Sequence, residues 1–281
     1  MAAKNRSKKL PKNTLLLKPK FVSVRPLLAC ANVAATAYMF CALLLMACGG
    51  PASKPLRVAT SANAQFAMEA LVKNFEAETG IPCELIVASS GKLYAQIREG
   101  APYHVFVSAD MKYPERLYKA KLTTGPPSVY AKGQLVLWSK QAKDFCTLNA
   151  LQSDALTRIA MANPRTAPYG YAALQVVHQQ PQAEGLKAKL VYGESVSQTA
   201  QFVLSEAAEV AFLPRSLAAA ETMQEVGYWQ PIDTTWHTPI LQGIVALTRD
   251  STQLEKAQQL QAFVLQAAAD GYFERSGYLR P

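Results

Sequence analysis

Four short polar segments carry the groups best suited to chemistry, and each comes after an apolar run. They are Thr60-Ser61-Ala62-Asn63, Ala88-Ser89-Ser90-Gly91, Ala167-Pro168-Tyr169-Gly170 and Glu194-Ser195-Val196-Ser197. Their serine, asparagine and tyrosine side chains are neutral hydrogen-bond donors. Placed at helix starts, they stand beside backbone N–H groups that have no acceptor within the helix. The helix dipole adds partial positive charge at the same point. Taken singly, a serine or asparagine at a helix start is an ordinary cap. Four of them gathered at one rim make a cage for an oxyanion that needs no buried cation.

Other chemistries leave no comparable trace. The three histidines, His104, His178 and His237, stand in unrelated contexts. His104 beside a strand reads as structural, and His178 late on a helix as a solvated or capping residue. The sequence holds no H-E-x-x-H, G-x-S-x-G, P-loop or G-x-G-x-x-G. Glu206 and Glu209 read as a solvated helix end rather than a catalytic pair. No catalytic residue, cofactor or C-x-x-C metal spacing is assigned.

The elements that must position the four segments alternate. Strand runs are expected at Leu56–Thr60, Cys83–Ala88, Val105–Ala109, Gln134–Ser139, Ile159–Ala162, Leu190–Tyr192, Val210–Leu213 and Gly243–Thr248. Asn63 reads as the cap of a helix with Ala67, Leu71 and Phe75 on one face, stopped by Gly80 and Pro82. Further helices are expected over Tyr113–Leu122 (capped by Asp110), Tyr171–His178, Val196–Ser205, Ser216–Gln224 and Thr252–Gln266. Such alternation means α/β layers with mostly parallel strands. In an open α/β sheet the strand carboxyl ends and helix starts meet at one rim, which is where the four segments fall.

Charge and hydropathy separate the front of the chain from its body. Of 281 residues the net charge is +9. Eight basic residues fall within positions 1–26, and positions 1–47 hold no acid, so the rest carries only +1. A general nucleic-acid surface is thereby excluded. The basic stretch runs into the uncharged Leu27–Ala47 and then Cys48-Gly49-Gly50. This is the pattern of an export signal over 1–47, with a linker over 48–55. Leu45-Met46-Ala47-Cys48 resembles a bacterial lipobox, which makes Cys48 the lipidated residue; an uncleaved anchor is the alternative reading of the apolar run. Either places the body outside the cytoplasm. Cys83 and Cys146, 63 positions apart, are left either as a pair or as free thiols.

Val58–Met68 (VATSANAQFAM), Ser89–Ile97 (SSGKLYAQI), Gly100–Asp110 (GAPYHVFVSAD) and Asn163–Gly170 (NPRTAPYG) resemble the molybdate-binding proteins of bacterial ABC transporters. Gly277-Tyr278 and Pro281 also fit the family's ending. The resemblance covers about Leu56 to Pro281. It implies two α/β lobes, each a mixed, mostly parallel sheet flanked by helices, joined by a two-strand hinge. Lobe I would comprise 56–135 and 236–281, and lobe II 136–235, with crossings near Ala131–Val136 and Tyr228–Pro239. Molybdate or tungstate would sit between the lobes, bound by the N–H of Ala62, by Asn63 and Ser90, by the Tyr169 hydroxyl and by the N–H of Val196. Ala62 stands where relatives carry a hydroxyl, and Ser61 is the nearest replacement. Pro214 lies near where some relatives have a second tyrosine. Lys92 and Arg165 would face solvent. The implied protein is a lipid-anchored, extracytoplasmic, monomeric solute-binding protein, not an enzyme, which serves a permease and ATPase and touches no nucleic acid. Another cargo such as sulfate or phosphate, an extracellular hydrolase and a cytoplasmic regulator are the alternatives, and calorimetric titration separates them.

Overall fold

The computed structural model describes residues 54–247 and 250–281. The export signal, Cys48 and Thr248 lie outside them. Among the described residues no helix is long and apolar enough to cross a membrane.

Ten strands form two five-stranded sheets. The first has the order β2-β1-β3-β10-β4, built from β1 (Leu56–Ser61), β2 (Cys83–Ala88), β3 (Val105–Ser108), β4 (Ser128–Gly133) and β10 (Ile240–Ala246). The second has the order β7-β6-β8-β5-β9, built from β5 (Leu135–Ser139), β6 (Ile159–Ala162), β7 (Leu190–Gly193), β8 (Val210–Pro214) and β9 (Tyr228–Pro231). In each, three neighbouring strands run parallel and the fourth runs against them. We call the two sheets with their helices lobe I and lobe II. Gln134 alone separates β4 from β5, and 232–239 lead from β9 back to β10. Leu135, expected to end lobe I, already pairs with Pro214 in the second sheet.

Period-two alternation decides which face of the first sheet each residue covers. Leu56, Val58, Val105, Val107, Ile244 and Ala246 pack on α1 (Gln65–Thr79) and α9 (Leu254–Ala269). Ala59, Phe106, Val245 and Leu247 face the other way, towards α2 (Ser90–Arg98) and α3 (Lys112–Lys119). Lobe II has a single large core, and Ala62, Ala109 and Ile240 of lobe I join it. Apolar burial is therefore continuous across the contact between the lobes.

Several boundaries differ from expectation for local reasons. Asn63 is not a cap. Ser61 precedes a 3-10 turn, Ala62–Ala64, and α1 starts only at Gln65. Gly80 ends α1 as expected, in the left-handed region at φ 69° with its N–H on the Glu76 carbonyl. The single helix expected over Ser216–Gln224 is two, α7 (Arg215–Ala218) and α8 (Glu221–Gln224), with Ala220 extended between them. Leu217 and Met223 are both buried. Six positions apart, they would point to different sides of one continuous helix, so the break lets both reach the core. β10 begins at Ile240, three residues before the expected start: Ile240–Gln242 pair with β4, and the buried polar Gln242 interrupts the apolar run by which the strand is read.

Candidate functional site

The four polar segments meet in one small cavity of about 10 Å³. It is lined by Ser61, Ala62, Asn63, Ser89, Ser90 and Ala109 from lobe I, and by Ala167, Pro168, Tyr169 and Val196 from lobe II. All five expected binding residues, Ala62, Asn63, Ser90, Tyr169 and Val196, are among them. No lining side chain carries a charge.

Each segment arrives as a helix start. Ser90 opens α2 behind the extended Ser89. Tyr169 is the second residue of α4 (Pro168–His178), where Pro168 fits because its missing N–H would have no partner anyway. Val196 opens α6 (Val196–Leu204), and Ser195 caps it by accepting the Gln198 N–H. Residues at these positions have no intrahelical acceptor for their N–H, so the backbone donors of Ser90, Tyr169 and Val196 stay available.

The Ser90 hydroxyl is oriented for use. Its Oγ accepts the Ala109 N–H at 2.9 Å and is buried, which leaves its own proton free to donate. Ser61 and Asn63 are arranged otherwise. Ser61 Oγ donates to Asn63 Oδ1 at 2.8 Å, so its proton is not free to replace the hydroxyl that Ala62 lacks. Asn63 Nδ2 donates to Gln242 Oε1 at 2.7 Å and to the Tyr278 hydroxyl at 3.1 Å. The Asn63 side chain is thus consumed by protein partners. What Asn63 and Ala62 present to the cavity is the backbone of the 3-10 turn.

Tyr169 lines the cavity from lobe II. Its hydroxyl is buried and makes no hydrogen bond of normal geometry. It lies against Gly133 of β4, on whose backbone a built Cβ would fall 2.2 Å from Tyr169 Oη and 2.9 Å from Gln242 Nε2. Burial pushes the Tyr130, Tyr169 and Tyr278 hydroxyls well above the ordinary tyrosine range, so all three stay protonated.

Lys92 and Arg165 stay outside the cavity. Lys92 Nζ meets Glu194 Oε2 at 3.3 Å with both side chains more than half exposed, and Arg165 is exposed. That pair joins α2 of lobe I to the turn before α6 of lobe II. Three further bonds cross between lobes: Gly91 N–H to the Thr166 carbonyl at 2.8 Å, the Tyr113 hydroxyl to the Arg165 carbonyl at 3.3 Å, and the Ser216 hydroxyl to the Asn63 carbonyl at 3.0 Å. The lobes are therefore closed on one another.

Sequence reading missed Gln242, Tyr278 and Ser216 as neighbours of the site. Gln242 had a visible trace, a lone amide inside an apolar strand. The other two become neighbours only through folding. Cys83 and Cys146 are both free: Cys83 opens β2 and packs against the lobe I core, whereas Cys146 ends a 3-10 turn, Lys143–Cys146, in the core of lobe II, so the two are not paired. Among the described residues no group of histidine, cysteine and acidic side chains is placed to hold a metal ion.

Comparison with known proteins agrees with this architecture. The molybdate-binding protein ModA of Azotobacter vinelandii is 36% identical over 207 residues, which are 73% of this chain and 82% of that protein. ModA of Rhodobacter capsulatus is 36% identical over 143 residues, 50% of this chain and 57% of its own length. The solved structure of the Azotobacter vinelandii periplasmic molybdate-binding protein superposes with a TM-score of 0.72 at 31% identity, covering 80% of this chain and 99% of that one. The sulfate-binding protein SubI of Mycobacterium tuberculosis shares the fold alone, at a TM-score of 0.66 and 12% identity over 80% and 86% of the two chains. Residues 56–279 match the family of bacterial extracellular solute-binding proteins, and the chain belongs to that family.

Proposed function

We propose that this protein captures molybdate, and tungstate with it, between its two lobes outside the cytoplasm and delivers it to the permease and ATPase of an ABC transporter. The observation that carries the reading is the cavity in which helix starts from both lobes converge without a charged side chain. Donors of this kind suit a tetrahedral dianion because many neutral groups share its charge, and no desolvated lysine or arginine is required. The donors from lobe I are the backbone of Ala62 and Asn63 and the N–H and hydroxyl of Ser90. Those from lobe II are the N–H groups of Tyr169 and Val196. Tyr169 contributes through its backbone, since its hydroxyl lies against Gly133. The names and structures of the similar proteins support molybdate over other oxyanions.

The protein binds and releases; it performs no reaction, and it works as a monomer. Cys48 carries the lipid that holds it to the membrane. Cys48→Ala is expected to release it from membranes or leave it unprocessed, whereas full-length protein that still fractionates as the wild type does would favour an uncleaved anchor. Calorimetric titration of residues 49–281 with molybdate, tungstate, sulfate and phosphate tests the cargo. Tight binding of the first two over the last two is expected. A preference for sulfate or phosphate would reassign it.

A further inference from the structure

Three glycines of lobe I meet lobe II where a side chain has no room. A Cβ at Gly91 would lie 2.7 Å from the Thr166 carbonyl oxygen and 2.8 Å from Thr166 Cα. At Gly133 it would lie 2.2 Å from Tyr169 Oη and 2.8 Å from Tyr169 Cζ. At Gly277 it would lie 3.0 Å from Ser216 Cα. Ordinary contact begins near 3.4 Å. Gly277 has φ +86°, so its backbone calls for glycine in any case. Gly91 and Gly133 do not have positive φ. At these two positions it is the crowding of neighbouring groups, with lobe II foremost, that demands glycine.

We propose that Gly91 and Gly133 are the stops that set how closely the lobes approach, and thereby the size of anion the cavity admits. The proposal rests on the reading that an oxyanion is held between the lobes. Gly91 directly follows Ser90, and its N–H bonds to Thr166, three residues before Tyr169. This seat therefore fixes the spacing between the Ser90 donors of one lobe and the Tyr169 donor of the other. Gly133 adjoins Gln134, where the chain crosses between sheets. The Tyr169 ring seats there, and the N–H of the same tyrosine serves the cavity. A methyl group at either glycine holds the lobes ajar. The anion then meets the donors of one lobe only. Half a cage touches one side of a tetrahedron and measures its size poorly.

Gly91→Ala and Gly133→Ala test this, with Gly125→Ala for comparison because nothing lies within 4 Å of a Cβ there. Each is titrated with molybdate and sulfate and followed by small-angle scattering with and without saturating molybdate. Gly91→Ala and Gly133→Ala should lose at least about tenfold in molybdate affinity, equivalent to roughly 1.4 kcal/mol. Their preference over sulfate should narrow, and molybdate should no longer compact them. Gly125→Ala should match the wild type. Adding Tyr169→Phe to Gly133→Ala removes the nearest atom and should restore part of the affinity. Gly91→Ala also crowds the Tyr113 hydroxyl of its own lobe at 2.7 Å, so Gly91→Ala with Tyr113→Phe, set against Tyr113→Phe alone, isolates the contact with lobe II. Circular dichroism confirms which variants fold. A folded Gly91→Ala or Gly133→Ala that binds and compacts as the wild type does overturns the proposal alone. A wild type that binds no tetrahedral oxyanion overturns the reading beneath it.

Discussion

The Tyr278 hydroxyl grips Asn63 twice: it accepts the side-chain Nδ2–H at 3.1 Å and donates to the main-chain carbonyl at 2.9 Å, across 215 positions of sequence. The Asn63 carbonyl also receives the Ser216 hydroxyl from lobe II. One residue beside the cavity is thereby held by its own lobe and touched by the other. Gln242 completes the hold. It accepts from Asn63 and donates to the carbonyls of Ala109 and Ile240. Such a buried network fixes the 3-10 turn whose residues Ala62 and Asn63 line the cavity.

Tyr278→Phe should therefore act on both stability and binding. Two buried bonds are lost, while Gln242 and Ser216 still satisfy the two Asn63 groups. A loss of about 1–2 kcal/mol in urea denaturation is expected, with weaker molybdate binding by calorimetry. Unchanged binding in a destabilised variant would show that the network supports the fold and does not position the turn.

Ser90→Ala removes a neutral donor to a charged acceptor and the acceptor for the Ala109 N–H. Bonds of this kind contribute roughly 1.5–3 kcal/mol, about one to two decades of affinity. Lys92→Ala breaks only an exposed ion pair with Glu194 and should cost less than about 1 kcal/mol. The affinity should also vary little with salt, since donors inside a closed cavity are poorly screened. Collapse of binding in Lys92→Ala with near-normal binding in Ser90→Ala would replace the neutral cage by charge recognition.

Tyr169→Phe should weaken binding far less than Ser90→Ala, because the backbone donor survives the substitution. An equal loss in calorimetric titration would return the hydroxyl to the anion.

His104 makes stability depend on pH. Its Nδ1 accepts the Arg57 N–H at 2.7 Å, so protonation there breaks a bond. Burial holds its pKa below the ordinary 6.5, although Asp250 at 3.7 Å pulls the other way. The unfolded chain thus binds the proton more readily than the folded one. This contribution is complete above about pH 6.5 and is lost as pH falls towards the lowered folded value. Denaturation at a series of pH values should show the decline, and His104→Gln should flatten it.

The two thiols should be slow to react. Burial pushes Cys83 up to about 12 and Cys146 up to about 11, and the thiolate is the reactive form. Both should resist iodoacetamide at pH 8 and react without reductant once the protein is denatured. Recovery of a Cys83–Cys146 disulfide would contradict their separation between the cores of the two lobes.

The sequence by itself determined the alternation of strands and helices, because apolar period and turn chemistry are local. It also located the four polar helix starts, since a serine or proline behind an apolar run is a short-range pattern. Within those segments, the resemblance to molybdate-binding proteins singled out Ala62, Asn63, Ser90, Tyr169 and Val196. Tertiary structure alone decided which partners their side chains meet. Asn63 reads as a cap and a side-chain donor, yet Gln242 and Tyr278, distant in sequence, consume its amide. The resemblance makes Tyr169 a hydroxyl donor, and folding sets that hydroxyl against Gly133, buried and without a protein partner. Ser61 reads as a spare hydroxyl, yet its proton is bound to Asn63. In each case the outcome depends on which groups meet after chain segments far apart are packed together. A hydrogen bond has a direction and a single proton to give, and no local pattern records which partner receives it.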